Sequence, residues 1–167
     1  DRDGVINEEL NYLYKIEDFY FIDGVFKSCL YLQELNYKII IITNQSGISK
    51  GLYDHDDYNK LTLWMIKKFK KNNIKITDIF YCPHSPSAEC KCRKPKPGML
   101  LDAENKYNLD MNNSWLIGDK EDDIRAGNNA GINNTILVKS GHPTNQKISN
   151  AKFFLHSIKE ISQVIKN

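Results

Sequence analysis

Few environments accept the run Lys38-Ile39-Ile40-Ile41-Ile42-Thr43. β-branched side chains are stiff at χ1 and pack well on a pleated surface, and apolar residues on both faces leave no side for water. The run therefore predicts a central strand covered on two sides. Thr43-Asn44-Gln45-Ser46-Gly47 follows it directly with hydroxyl, amide and glycine. Open α/β sheets bind ligands outside the carboxyl ends of their strands. Thr43, Asn44, Gln45 and Ser46 are thus candidate contacts, although a strand-to-helix loop with a capping serine has the same composition.

The rest of the chain alternates around that strand. Gly24 to Leu35 predicts a helix in which Cys29 is a small buried hydrophobe. Asp56 to Lys71 predicts an amphipathic helix, with Leu61, Trp64, Met65 and Phe69 at helical spacing and lysines opposite. Further strands are expected over Ile76 to Tyr81, Ser114 to Ile117, Asn134 to Val138 and Lys152 to Leu155. Helices are expected over Gly98 to Tyr107, Asp122 to Ala130 and Ser157 to Ile165. Val5 to Tyr20 shows no clean period and is expected to be a loop reaching over a site. Alternation of this kind predicts a three-layer α/β sandwich around one mostly parallel sheet, in a single domain spanning residues 1–167.

Asp1-Arg2-Asp3-Gly4 places two carboxylates one residue apart, on the same side of an extended segment. Such a pair suits phosphoryl transfer, with Asp1 attacking phosphorus and Asp3 moving the proton. A solvated acidic terminus has the same letters. A nucleophile at a strand end needs the strand beneath it, so an apolar strand is expected upstream of residue 1.

Composition excludes some classes. Lysine and arginine number 23 against 21 acidic residues, a net charge of +2 that argues against a nucleic-acid binder. Lys67-Lys68-Phe69-Lys70-Lys71 fits the solvated face of a helix. No apolar run reaches the length of a membrane span, and no signal peptide is visible, so a cytoplasmic monomer is expected. Cys82, His84, Cys90 and Cys92 form a closed set of soft ligands suited to tetrahedral structural zinc, in a loop spanning residues 82–92.

Two further clusters carry charge. Arg93 and Lys94 follow the last cysteine. Lys94 suits neutralising a transferring phosphoryl group and Arg93 suits a bidentate grip on phosphate, although a basic surface turn reads the same. Gly118-Asp119-Lys120-Glu121-Asp122-Asp123 follows a short strand. Asp1, the Asp3 backbone carbonyl and Asp119 would suffice for Mg²⁺, which keeps several waters. Asp123 would orient Lys120 or a water, and Asp122 reads as an acidic helix start. His55, His142 and His156 read as surface or loop histidines.

Taken in order, Asp1-Arg-Asp-Gly, Thr43-Asn44, Arg93-Lys94-Pro and Gly118-Asp119-x-x-x-Asp123 resemble the four motifs of haloacid dehalogenase (HAD) superfamily phosphatases. Thr43-Asn-Gln-Ser-Gly-Ile48 and Cys82-Pro-His84 through Cys92-Arg-Lys-Pro-x-Pro-Gly-Met99 are similar to the D-glycero-D-manno-heptose 1,7-bisphosphate phosphatases within it. The resemblance implies an HAD-like Rossmannoid fold and hydrolysis of a sugar C7 phosphate through an aspartyl-phosphate, in the supply of ADP-heptose for lipopolysaccharide. It implies Asp1 as nucleophile, Asp3 as acid/base, and Thr43 and Lys94 on the phosphoryl group. Mg²⁺ would sit on Asp1, Asp3 and Asp119, and Zn²⁺ on the cysteine–histidine set. Arg93 and Lys120 would meet the substrate, as would Glu9, Leu10, Asn11 and Tyr12 of the early loop. Histidinol-phosphate hydrolysis is the neighbouring alternative, and a zinc-loop binding module without chemistry the remote one. The implied partner is a small sugar phosphate, with no nucleic acid and no membrane.

Overall fold

The isoleucine run forms a strand, as its composition requires, and the elements around it follow in alternation. The computed structural model describes residues 1–143 and 149–166. In chain order the elements are α1 (Val25–Glu34), β1 (Ile39–Asn44), α2 (His55–Lys71), β2 (Ile76–Cys82), α3 (Gly98–Tyr107), β3 (Trp115–Gly118), α4 (Glu121–Asn129), β4 (Asn134–Val138) and β5 (Phe153–Leu155). β1 pairs in parallel with β2, and β4 pairs in parallel with both β3 and β5. α2 starts at a capping box in which the Asp57 N–H donates to Asp54 Oδ1 at 2.8 Å, and it ends in lysines that suit the helix dipole.

Alternate residues of each strand face opposite layers. Ile41, Ile136 and Val138 pack with Val25, Cys29, Leu61, Met65 and Phe69 from α1 and α2. Ile42, Leu116 and Leu137 pack with Met99, Leu100, Ala103, Ile124 and Ala126 from α3 and α4. Helices therefore cover both faces, giving three layers. Met65 and Phe69 are fully buried, each worth about 1.5–3 kcal/mol by transfer.

Two expectations are corrected in detail. The closing segment is a 3₁₀ helix over Ile158–Gln163 instead of an α-helix, with Ser157 as its side-chain cap and Ile158 and Ile161 buried one turn apart. The stretch from Val5 to Tyr20 is a loop, as expected, and it also buries Val5, Ile6, Leu13 and Phe19 in the first core. The strands form two parallel sheets, of two and three strands, instead of one.

Between those sheets, β1 and β3 line a cavity of about 450 Å³ whose wall includes Ile39 to Ile42, Trp115 to Ile117, Val5, Ile6 and Leu100. Asp1 also lines it, with its backbone nitrogen donating to the Ile117 carbonyl at 2.8 Å. That bond is of the kind a strand alongside β3 makes. The carboxyl ends of β1 and β3, and the loops that leave them, thus meet around Asp1.

Candidate active site

Lys94 gathers the centre. Its ammonium is 3% exposed and lies 2.9 Å from Asp1 Oδ1 and 2.5 Å from Asp123 Oδ1, and it donates to the Ile42 carbonyl at 2.8 Å. Three partners use its three donors, so a buried charge is fully compensated. Asn44 fixes the backbone there, accepting from the Lys94 N–H at 3.1 Å and donating to the Lys94 carbonyl at 3.2 Å. Asp1 Oδ1 also accepts from the Arg2 N–H at 2.7 Å. Among the described residues, Asp1 Oδ2 has no hydrogen-bond donor.

Asp123 corrects its expected role. Its carboxylate is buried against Lys94, and it reaches Lys120 only through that residue's backbone N–H, at 3.0 Å. Burial pushes its carboxyl up, but Lys94, the amino group of Asp1 and the Lys120 N–H together reverse this and hold it below the ordinary value.

Asp3 is tied more tightly than a free proton carrier. Arg2 Nη2 donates to both of its oxygens at 2.9 Å, Asn7 Nδ2 donates at 3.0 Å and Gln45 Nε2 at 3.0 Å. Burial raises the Asp3 carboxyl, and Arg2 with these amides more than reverses it, leaving the group low. Its side chain thus faces donors, and any share in holding a cation falls to its backbone carbonyl.

Asp119, at the end of β3, is fully buried. Oδ2 accepts from the backbone N–H of His142 at 3.1 Å and from its ring Nδ1 at 2.7 Å. Among the described residues, Oδ1 is buried with no hydrogen-bond partner. Gly4 and Gly141 press on this carboxylate: a Cβ at either would lie 2.5 or 2.2 Å from Oδ2, and Gly4 has φ of +82°. Oxygens of Asp1, Asp119 and Asp123 lie within 4.8 Å of one another. A bare buried carboxylate oxygen beside other carboxylates is costly unless a cation takes it, so this donor set fits a hard divalent ion.

In the cysteine–histidine loop, donor atoms of Cys82, His84, Cys90 and Cys92 also lie within 4.8 Å of one another. Cys82 Sγ is 3.7 Å from Cys90 Sγ, 2.8 Å from Cys92 Sγ and 3.5 Å from His84 Nδ1. Tetrahedral zinc with thiolates would space sulfurs at roughly 3.8 Å, so the first separation fits and the second is tighter. Arg93 Nη1 donates to the His84 carbonyl at 3.2 Å, joining this loop to the site.

A cavity of about 200 Å³ opens on the centre, lined by Asp1, Asp3, Glu9, Asn11, Tyr12, Leu13, Thr43 to Ser46, Tyr53, Arg93, Lys94, Lys120, Asp122 and Asp123. Of the expected substrate contacts, Glu9, Asn11, Tyr12, Asn44, Gln45, Ser46, Arg93 and Lys120 lie on its wall. Leu10 does not; it is exposed at 41%, outside the wall. Gln45 lines the cavity with its amide committed, donating to Thr43 Oγ1 at 2.9 Å and to Asp3, and accepting from the Tyr53 hydroxyl at 2.6 Å. Lys120 Nζ lies 3.7 Å from Glu9 Oε2. Burial, with Asp3 next, pushes the Glu9 carboxyl up.

Sequence reasoning missed Tyr53 and His142. Neither carries a local signal: Tyr53 sits in a turn after Gly51, and His142 meets Asp119 from beyond β4. Asp122, read as a helix start only, also reaches the wall.

Comparisons with known proteins bear directly on this arrangement. A HAD-hydrolase-like family model matches residues 91–161. A D-glycero-alpha-D-manno-heptose-1,7-bisphosphate 7-phosphatase of Campylobacter jejuni is 48% identical over 99% of this chain and 93% of its own length. The corresponding enzyme of Photorhabdus laumondii is 48% identical over 90% of this chain and 86% of its own length. The chain belongs to this HAD family of heptose-bisphosphate phosphatases. A Photorhabdus laumondii relative named for the beta anomer is 39% identical over 99% of this chain and 93% of its own. Among solved structures, the D,D-heptose 1,7-bisphosphate phosphatase of B. bronchiseptica, complexed with magnesium and phosphate, superposes with a TM-score of 0.86 at 26% identity, over 98% of this chain and 93% of that one. Membership makes the chain a phosphoric monoester hydrolase with an HAD-like α/β fold.

Proposed function

We propose that this chain removes the C7 phosphate of D-glycero-D-manno-heptose 1,7-bisphosphate by way of an aspartyl-phosphate on Asp1. The observation that carries the reading is the convergence of Asp1, Lys94, Asp123 and Asp119 at the strand ends, in a family whose relatives are named for that reaction. Asp1 Oδ2 is the attacking atom, because Oδ1 already accepts from Lys94 and Arg2. Attack forms the Asp1 O–P bond as the bond to the sugar oxygen breaks; that oxygen takes a proton from Asp3. Asp3 then takes a proton from the water that attacks phosphorus, releasing phosphate and restoring Asp1. The contacts of Arg2, Asn7 and Gln45 favour ionised Asp3, the form that accepts the proton of water in the second leg, whereas the first leg runs from the protonated form.

Asp1, the Asp3 carbonyl and Asp119 would hold Mg²⁺, which neutralises charge on the transferring group when bound. The magnesium and phosphate bound by the B. bronchiseptica enzyme support this. Thr43 and Lys94 flank the phosphoryl group, Arg93 and Lys120 meet the rest of the substrate, and Zn²⁺ on Cys82, His84, Cys90 and Cys92 fixes the loop carrying Arg93. The relatives' names favour the heptose bisphosphate over histidinol phosphate. The higher identity to alpha-named relatives favours the alpha anomer.

We further propose that an apolar strand preceding Asp1 fills the cavity between β1 and β3, joining the sheets within one domain. The apolar wall and the Asp1–Ile117 bond support it. The reading also carries a cytoplasmic monomer. Among the described residues no helix is long and apolar enough to cross a membrane.

Phosphate release from the two anomers and from histidinol phosphate, with Mg²⁺ and with chelator, tests the function. The expected order is alpha anomer, beta anomer, histidinol phosphate, with activity lost in chelator. A kcat/KM highest on histidinol phosphate would refute the assignment.

A further inference from the structure

We propose that His142 is a positioning residue for the divalent ion, acting through Asp119: it occupies one carboxylate oxygen so that the other is left for the cation. The inference rests on the metal-dependent reading above and extends it to a residue outside the motifs.

Two donors of His142 converge on a single atom. The backbone N–H and ring Nδ1 both reach Asp119 Oδ2, at 3.1 and 2.7 Å. A carboxylate only accepts, so the ring nitrogen facing it must carry the hydrogen. Among the described residues, the buried Asp119 Oδ1 has no hydrogen-bond partner. An asymmetry this complete fixes the plane of the carboxylate, because turning that plane away would break two bonds and leave both His142 donors without a partner.

The backbone enforces the same orientation. Gly4 and Gly141 approach Asp119 so closely that a Cβ on either would fall within 2.5 Å of Oδ2. The Ser140 hydroxyl donates to the Gly4 carbonyl at 2.7 Å, tying the segment that carries His142 to the turn that carries Asp1 and Asp3. His142 is therefore registered against both segments that would supply cation ligands, the turn after Asp1 and the end of β3. Its other acidic neighbour, Glu9, has Oε2 at 3.8 Å from Nδ1, beyond a hydrogen bond. That separation favours Asp119 as the partner the imidazole serves.

Residues that orient a metal ligand typically change metal affinity by about 10- to 100-fold when removed. The test is Mn²⁺ binding, followed by electron paramagnetic resonance on the full chain without substrate, for the wild type, His142→Ala and His142→Asn. Asparagine keeps an N–H near the position of Nδ1. We expect the alanine variant to bind Mn²⁺ about tenfold more weakly and the asparagine variant to recover most of the loss. The Mg²⁺ concentration giving half-maximal phosphate release should rise by the same factor, with kcat at saturating Mg²⁺ little changed. Spin-echo spectra of the wild type should show no directly bound nitrogen. Unchanged Mn²⁺ affinity in the alanine variant, equal loss in both variants, or a nitrogen bound to Mn²⁺ would each overturn the positioning role. A wild type that binds no Mn²⁺ would instead sink the metal reading beneath it, so the two failures are separable.

Discussion

At the residue scale, charges are placed so that each buried ion has a named partner, and this is where single substitutions should be most informative. Lys94 holds the buried carboxylate of Asp123 and the half-buried one of Asp1, so Lys94→Met removes the cation that compensates both. We expect a stability loss of about 3–5 kcal/mol in chemical denaturation, partly recovered by adding Asp123→Leu. If the single variant melted like the wild type, the Lys94 pairing would not matter to the fold. Cys29 gives a pH-linked prediction. Burial pushes its thiol from 9.0 up to about 12. A raised folded value means that its contribution is intact below pH 9 and is lost as pH climbs toward 12, at up to roughly 1.4 kcal/mol per pH unit. Native Cys29 should stay unreactive to thiol reagents at pH 8.5, and Cys29→Ser should flatten the alkaline limb of the stability curve. The sequence already exposed Asp1, Asp3, Lys94 and Asp119, because each sits in a short ordered motif. It hid His142 and Tyr53, whose roles depend on which loops fold against one another, and it misplaced Leu10, which shares a segment with Asn11 and Tyr12 but turns outward.

At the element scale, strand and helix positions were readable because composition and period agree: β-branched runs for β1 and β4, and a capped amphipathic pattern for α2. The division into two sheets was not readable, since strand pairing is a long-range property that the composition of each strand does not carry. A chain carrying an apolar strand before Asp1 should show slower amide exchange along the facing edges of β1 and β3 than one starting at Asp1. Equal exchange in the two would count against a strand in that cavity. The closing 3₁₀ helix also escaped the pattern, because the three-residue step from Ile158 to Ile161 fits either helix and the four-residue step on to Ile165 reads as α. For the cysteine loop, protein stripped of zinc and then assayed in saturating Mg²⁺ should have a loosened Arg93 and a kcat/KM lower by about 10- to 100-fold, with recovery on adding Zn²⁺. Full activity in protein shown to be zinc-free would separate the loop from function.

At the scale of the whole molecule, the two helical layers hold the carboxyl ends of β1 and β3 around one cavity, and the chemistry follows from what those ends carry. The account's central claim is that the Asp1 carboxylate becomes phosphorylated in each turnover. Rapid acid quench with the heptose bisphosphate and Mg²⁺, followed by borohydride reduction and peptide mass spectrometry, tests it most directly. An acyl phosphate on Asp1 should be reduced to homoserine at that position, and the signal should vanish in Asp1→Asn and in chelator. Phosphate released in the first turnover with position 1 unmodified, or modification at another carboxylate, would contradict the account.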